Sequence, residues 1–151
     1  MVSGRSIESG SGPIRYAMVG GGQGAFIGAV HRIAARMDDQ YTLVAGALSS
    51  DPERAKASGA ELNLAPDRTY TDYRAMAEAE AARVDGIEAV SIVTPNHMHA
   101  PIATAFLNAG IHVICDKPLS LTVAEAKDLV ALTRKTKKIF AVTHNYTGYP
   151  M

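Results

Sequence analysis

Three short stretches of this chain carry residue types able to do chemistry, and each follows an apolar run. Asp116-Lys117-Pro118 comes after Ile111-His112-Val113-Ile114-Cys115. Gly20-Gly21-Gly22-Gln23-Gly24-Ala25 comes after Ile14-Arg15-Tyr16-Ala17-Met18-Val19, and Thr94-Pro95-Asn96-His97-Met98-His99 after Ile87-Glu88-Ala89-Val90-Ser91-Ile92-Val93. A lysine at the carboxyl end of a buried parallel strand faces the crevice where open α/β sheets bind ligands. The proline after it has a fixed φ and no N–H, so it ends the strand and stiffens the turn that presents the amine. Lys117 is therefore a candidate catalytic or substrate-anchoring residue, and it gains weight from the glycine turn upstream.

The glycine turn satisfies G-x-G-x-x-G/A between a strand and a helix. Glycines there allow positive φ and close approach of the backbone to a pyrophosphate, whose charge meets the N–H groups opening the helix. Gly20, Gly22, Gln23, Gly24, Ala25, Phe26 and Ile27 are the expected contacts of a dinucleotide. A tight strand-to-helix connection without ligand is the bland alternative. A P-loop is disfavoured because no Gly-Lys-Ser/Thr follows.

An NAD site usually places an Asp or Glu near the end of the second strand, on the ribose hydroxyls. Here Leu48 is followed by Ser49 and Ser50, and Asp51 reads as a helix cap, with Arg54 one turn on. Without an acid at the strand tip nothing repels a 2′-phosphate, and hydroxyls with Arg54 would hold one. NADP is thus favoured over NAD. In the third stretch, Asn96 offers an amide that would also cap the following helix, and His99 is placed to contact ribose or substrate, with Thr94 and Pro95 beside the cofactor. Histidines two apart cannot share a helix face, so His97 and His99 do not form a metal pair and no metal site is expected. His31 and His112 read as packed against the sheet.

Elements that position these residues are legible from periodicity. Strands are expected over 14–19, 41–48, 69–70, 87–93, 111–115 and 139–143, and helices over 26–37, 52 onward, 72–82, 101–108 and 122–135. Residues Ile27, Val30, Ile33, Ala34 and Met37 form one apolar stripe on the first helix. Pro52 sits at the first position of the second, with Asp51 as its cap. Thr122 and Glu125 make a capping box. Strands alternating with helices, mostly apolar throughout, imply an α/β fold: a doubly wound, mostly parallel six-stranded sheet with helices on both faces.

The chain has 151 residues, about one domain, and 47% of them are hydrophobic. Fifteen basic residues balance fifteen acidic ones, so no net field favours nucleic acid or an anionic membrane. Cys115 is the only cysteine, which excludes an intrachain disulfide and reads as a small buried hydrophobe. No apolar run is long enough for a membrane span. Residues 1–12 read as a flexible Ser/Gly-rich leader without a signal-peptide core, and residues 13–151 as one dinucleotide-binding domain of a cytoplasmic protein.

Together, the glycine turn with His31 three residues after Gly28, Thr94-Pro95-Asn96-His97-Met98-His99, and Asp116-Lys117-Pro118 resemble the glucose-fructose oxidoreductase/inositol dehydrogenase/rhizopine catabolism (Gfo/Idh/MocA) family. The resemblance runs from Ile14 to about Tyr149. The family's usual Glu-Lys-Pro has Asp116 in place of Glu, and the turn carries extra residues from Gln23 to Phe26, with Gly28 at the usual third-glycine position. The resemblance implies a Rossmann domain of an NAD(P)-dependent oxidoreductase of sugars, inositols or related polyols. It makes Lys117 the residue that hydrogen-bonds the reacting oxygen and relays its proton. Asp116 would support the loop or the ribose, and Asn145 would lie near cofactor and substrate. It further implies a larger C-terminal substrate and oligomerisation domain, absent from this chain, and a homo-oligomeric parent. These 151 residues are then expected to bind cofactor with little or no turnover. A non-catalytic dinucleotide-binding sensor or interaction module is the alternative from another class; a nucleoside or methyl-donor site is a third reading, disfavoured by Lys117-Pro118.

Overall fold

A computed structural model describes residues 12–148. Most of the expected leader and the terminal Tyr149-Pro150-Met151 lie outside the described residues. The elements run β1 (Ile14–Gly20), α1 (Phe26–Arg36), β2 (Tyr41–Ala47), α2 (Pro52–Glu61), α3 (Tyr73–Ala82), β3 (Ala89–Val93), α4 (His99–Asn108), β4 (His112–Cys115), α5 (Val123–Thr136) and β5 (Phe140–Val142). All strand pairs are parallel, in the order β2-β1-β3-β4-β5.

Among the described residues the sheet has five strands rather than the six expected. The strand expected at Thr69-Tyr70 is reduced to one parallel bridge between Thr69 and Gly46, with the Tyr70 N–H donating to the Gly46 carbonyl at 2.8 Å. A 3₁₀ turn, Pro66–Arg68, enters immediately before it, and the Asp72 carboxylate caps α3 immediately after. Too few extended residues remain between them to build a ladder.

Side-chain alternation sorts the strands onto two faces. Ala17, Val19, Val90, Ile92, Val113 and Cys115 point to one side and pack with Met76, Ile102, Phe106 and Leu107 of α3 and α4 and Leu129 of α5. This is the larger core. On the other side Tyr16, Met18, Ala89 and Val93 meet Ile27 and Ala35 of α1. The expected α1 stripe is only partly used: Ile27 is half-buried, while Val30, Ile33 and Met37 are 41%, 56% and 82% exposed. α1 approaches the sheet through its glycine rather than through that stripe, as described below. The α5 capping box forms as expected: the Thr122 hydroxyl accepts from the Glu125 N–H, and the Glu125 carboxylate accepts from the Thr122 N–H at 3.1 Å.

At the edge near the single bridge, Arg68 and Glu80 form a buried ion pair. The Arg68 Nε–H donates to Glu80 Oε1 at 3.1 Å and Nη2 pairs with Oε2. The Tyr70 hydroxyl donates to the same carboxylate at 3.0 Å. Removing one member of such a pair strands the other charge in a water-poor site, which costs about 3–5 kcal/mol. Glu80→Ala should therefore lower unfolding free energy by about 3 kcal/mol in urea titrations. Asp85→Ala, on the exposed side of the same cluster, should leave the midpoint nearly unchanged.

Candidate functional site

The parallel register delivers the chemistry-bearing residues to one edge. Gly20 pairs with Val93, and Cys115 pairs with both Ile92 and Val142. Gly21, Thr94, Asp116 and Thr143 therefore leave the sheet at neighbouring levels on its carboxyl side.

At the first of these exits, Gly20 and Gly21 have φ of 79° and 72°. A Cβ on Gly28 would lie 2.4 Å from the Gly21 Cα, so α1 docks backbone to backbone on the end of β1. Gly28 thus occupies the position read for it from the sequence. A Cβ on Gly22 would strike the Leu48 carbonyl at 2.8 Å and Ser58 Oγ at 2.7 Å. The turn is also braced by side chains: Ser58 Oγ accepts from the Gln23 N–H at 3.0 Å, Arg32 Nη1 donates to the Gly21 carbonyl at 2.8 Å, and the Gln23 side-chain amide donates to Glu61 at 3.2 Å. Ser58, Glu61 and Arg32 escaped the sequence reading; the small-residue run Ala55, Ser58 and Gly59 on α2 was the available signal of close packing. The α1 N-cap, Ala25, makes no side-chain capping bond, and the first turn holds no acid. Its leading N–H groups and positive dipole end are left for an anion.

At the end of β2 Asp51 is the α2 cap, its carboxylate accepting from the Arg54 N–H at 2.8 Å, and Ser49 Oγ accepts from the Asp51 N–H at 3.1 Å. Ser50 and Arg54 are exposed. Beyond β3, Thr94 Oγ1 is buried with no hydrogen-bond partner. Pro95 and Asn96 are exposed. Asn96 does not cap α4: a 3₁₀ turn, Asn96–Met98, intervenes, and the helix starts at His99 without a side-chain cap. His99 is 1% exposed, with Nδ1 at 2.7 Å from the Pro118 carbonyl and Nε2 at 2.9 Å from the Thr94 carbonyl. Both ring nitrogens are engaged by backbone, so His99 ties the β3 and β4 loops together.

Beyond β4 the Asp116 carboxylate accepts from Thr143 Oγ1 at 2.9 Å and lies 3.7 Å from His31 Nε2, while His31 Nδ1 is 2.9 Å from Ser91 Oγ. Burial holds the His31 imidazole below its ordinary range, with Asp116 acting in the opposite direction. Lys117 and Asn145 are exposed and share with Asp116 and His31 a cleft of about 410 Å³ that runs along α1 to Tyr16 and Tyr41. Among the described residues no His, Cys, Asp and Glu cluster could hold a metal ion.

The residues fit a dinucleotide on three counts: a glycine cradle that side chains would fill, an uncapped helix N-terminus aimed at it, and an unpartnered buried hydroxyl at the adjacent strand end. Comparison with known proteins gives the same direction. Residues 14–144 match the model of an oxidoreductase family with an NAD-binding Rossmann fold. The chain is 47% identical over 142 residues to the uncharacterized oxidoreductase YfiI of Bacillus subtilis, covering 93% of this chain and 36% of that protein. It superposes on an oxidoreductase from Sinorhizobium meliloti with a TM-score of 0.85 at 62% identity, over 91% of this chain and 38% of the other. An inositol dehydrogenase homolog from Azotobacter vinelandii, solved with NADH and myo-inositol, gives a TM-score of 0.88 at 47% identity, over 91% and 36%. The chain thus spans little more than a third of the length of these relatives.

Cys115, one residue before Asp116, is wholly buried, and burial pushes its thiol up to about 12, with the Asp116 charge adding to the effect. The native state therefore holds the thiol proton more tightly than the unfolded chain, so this stabilisation is fully present below about pH 8.5 and is lost as pH rises toward 12. Iodoacetamide at pH 8 should label Cys115 only after unfolding. Urea midpoints should fall between pH 8.5 and 10.5, and fall less steeply in Cys115→Ala.

Proposed function

The chain belongs to the oxidoreductase family with an NAD-binding Rossmann fold, and from that premise we propose that it is the cofactor domain of an NAD(P)-dependent dehydrogenase of sugars, inositols or related polyols. The observation that carries this reading is the placement of Lys117 on the same sheet edge as the uncapped α1 N-terminus. Pyrophosphate would lie on the N–H groups of residues 22–27, where the glycines admit it and the helix dipole favours its charge. Thr94 Oγ1, buried and unpartnered, would donate to the cofactor, flanked by Pro95 and Asn96. His99 holds the loop that presents these residues rather than contacting ligand itself.

When bound, the nicotinamide supplies a hydride acceptor or donor. Lys117 then hydrogen-bonds the oxygen on the substrate carbon that exchanges hydride and passes its proton, a role that requires water to be thinned around the amine. Asp116, anchored by Thr143, supports that turn or the ribose, and Asn145 faces the same cleft. The polyol class is supported by the myo-inositol complex of the Azotobacter vinelandii homolog.

For the cofactor, Asp51 is occupied as a helix cap while Ser49, Ser50 and Arg54 stand at the β2 end, which supports NADP. NAD is the second reading, supported by the NADH complex of the same homolog. Calorimetric titration with NADP, NAD and their reduced forms decides between them. If NADP is the ligand, Arg54→Ala should weaken it about tenfold, the loss of one charge-assisted hydrogen bond, while NAD changes by less than about twofold. A strong preference for NAD in the unsubstituted chain overturns the NADP assignment. The 151 residues alone should bind without oxidising inositols or sugars; NADPH or NADH formation by them would overturn that expectation.

A further inference from the structure

Ser91 is the one polar residue in a strand that is buried from end to end, Ala89-Val90-Ser91-Ile92-Val93. An unpartnered hydroxyl there would cost about 1–3 kcal/mol. Its partner is the His31 ring, 10% exposed at the side chain, which α1 carries across β3. The opposite ring nitrogen points to the Asp116 carboxylate, itself 16% exposed. A carboxylate selects the tautomer with the proton on the nitrogen facing it. His31 is then an Nε2–H imidazole, and its bare Nδ1 accepts from the Ser91 hydroxyl. Thr143 donates to the same Asp116 oxygen from the end of β5. The carboxylate next to Lys117 is therefore hydrogen-bonded by Thr143 and faced at 3.7 Å by the His31 ring from α1.

We infer that His31 is a positioning residue: with its Nε2–H tautomer selected by Asp116 and its Nδ1 seated on the Ser91 hydroxyl, it orients the Asp116 carboxylate and so sets the turn that presents Lys117 to the cofactor crevice. The inference rests on the reading of that crevice as a dinucleotide site. A merely space-filling histidine at this place would have no preferred tautomer and no dependence on the Asp116 charge. The other titratable groups lining the cleft are Tyr16 from β1, Tyr41 from β2 and Lys117 itself. Among charged neighbours, Asp116 is the one that acts on the ring.

Two measurements on the 151-residue chain test it. The first is the ¹⁵N spectrum of the His31 imidazole at pH 8, without ligand. The expected pattern is a protonated Nε2 and a bare Nδ1, with the preference lost in Asp116→Asn; an Nδ1–H tautomer, or a spectrum indifferent to Asp116→Asn, overturns the inference. The second is NADPH and NADH affinity by calorimetry. His31→Leu, which removes the donor, should weaken binding about fivefold or more, and His31→Gln, which returns an N–H near the Nε2 position, should restore it to within about twofold. Equal weakening by Leu and Gln, or none by either, overturns it. If His31→Leu does not fold, Thr143→Val removes the other arm of the clamp and should weaken binding in the same direction; unchanged affinity there counts against it. Absence of dinucleotide binding by the unsubstituted chain would sink the functional reading instead, while the tautomer measurement would still decide the role of His31.

Discussion

The contact on which the rest of the molecule depends is the one between Gly21 and Gly28. No side chain fits between them, since a Cβ on Gly28 would come within 2.4 Å of the Gly21 Cα. The helix axis is therefore set by backbone meeting backbone at the end of β1. Two consequences follow from one approach. The N-terminus of α1 is aimed at the glycine turn, and its middle is carried over β3, where His31 meets Ser91. An apolar stripe would have settled the helix differently, and the exposure of Val30, Ile33 and Met37 shows that the stripe does not decide its position.

The two faces of the sheet are built on different principles as a result. Under α3, α4 and α5 the core is continuous and apolar, with Phe106, Met76 and Ile92 at no exposure. Such packing is dense and resists displacement. On the α1 face a polar path runs from Ser91, hydrogen-bonded to His31, to Asp116, which lies 3.7 Å from the ring and is hydrogen-bonded to Thr143. Polar chains of this kind cost free energy unless every member is satisfied, and here each group has a neighbour of the right polarity. The dense face holds the strands in register. The polar face places a charge at their carboxyl ends.

Most of the fold could be read from the chain because its signals are local. Strand alternation, the Asp51 cap and the Thr122–Glu125 box lie within a few residues of the elements they define. The glycine turn was legible for the same reason. What the sequence obscured is non-local or a matter of crowding. Thr69-Tyr70 has strand-forming residues, yet a 3₁₀ turn and a helix cap on either side leave room for a single bridge. His99 stands beside binding-type residues in the chain, but its ring nitrogens are taken by the Thr94 and Pro118 carbonyls, one of them nineteen residues away. Ser58 and Arg32 brace the turn from two different helices, and only the small-residue run of α2 around Ser58 hints at it.

That division matches a division in the site itself. The features suited to a pyrophosphate are backbone features, namely positive-φ glycines and an uncapped helix start, and they are encoded in nine consecutive residues, 20–28. Those suited to orienting a reacting group are side chains from different strand ends: Thr94 after β3, Asp116 and Lys117 after β4, Thr143 and Asn145 after β5. They meet only because parallel pairing of Gly20 with Val93, and of Cys115 with Ile92 and Val142, brings the exits level. A one-residue slip in any of these ladders would turn the affected strand's side chains to the opposite face and separate Asp116 from His31 or from Thr143. The apolar core beneath α4 and α5, far from the crevice in composition, is therefore what keeps the carboxylate and the lysine at the edge where a cofactor would lie.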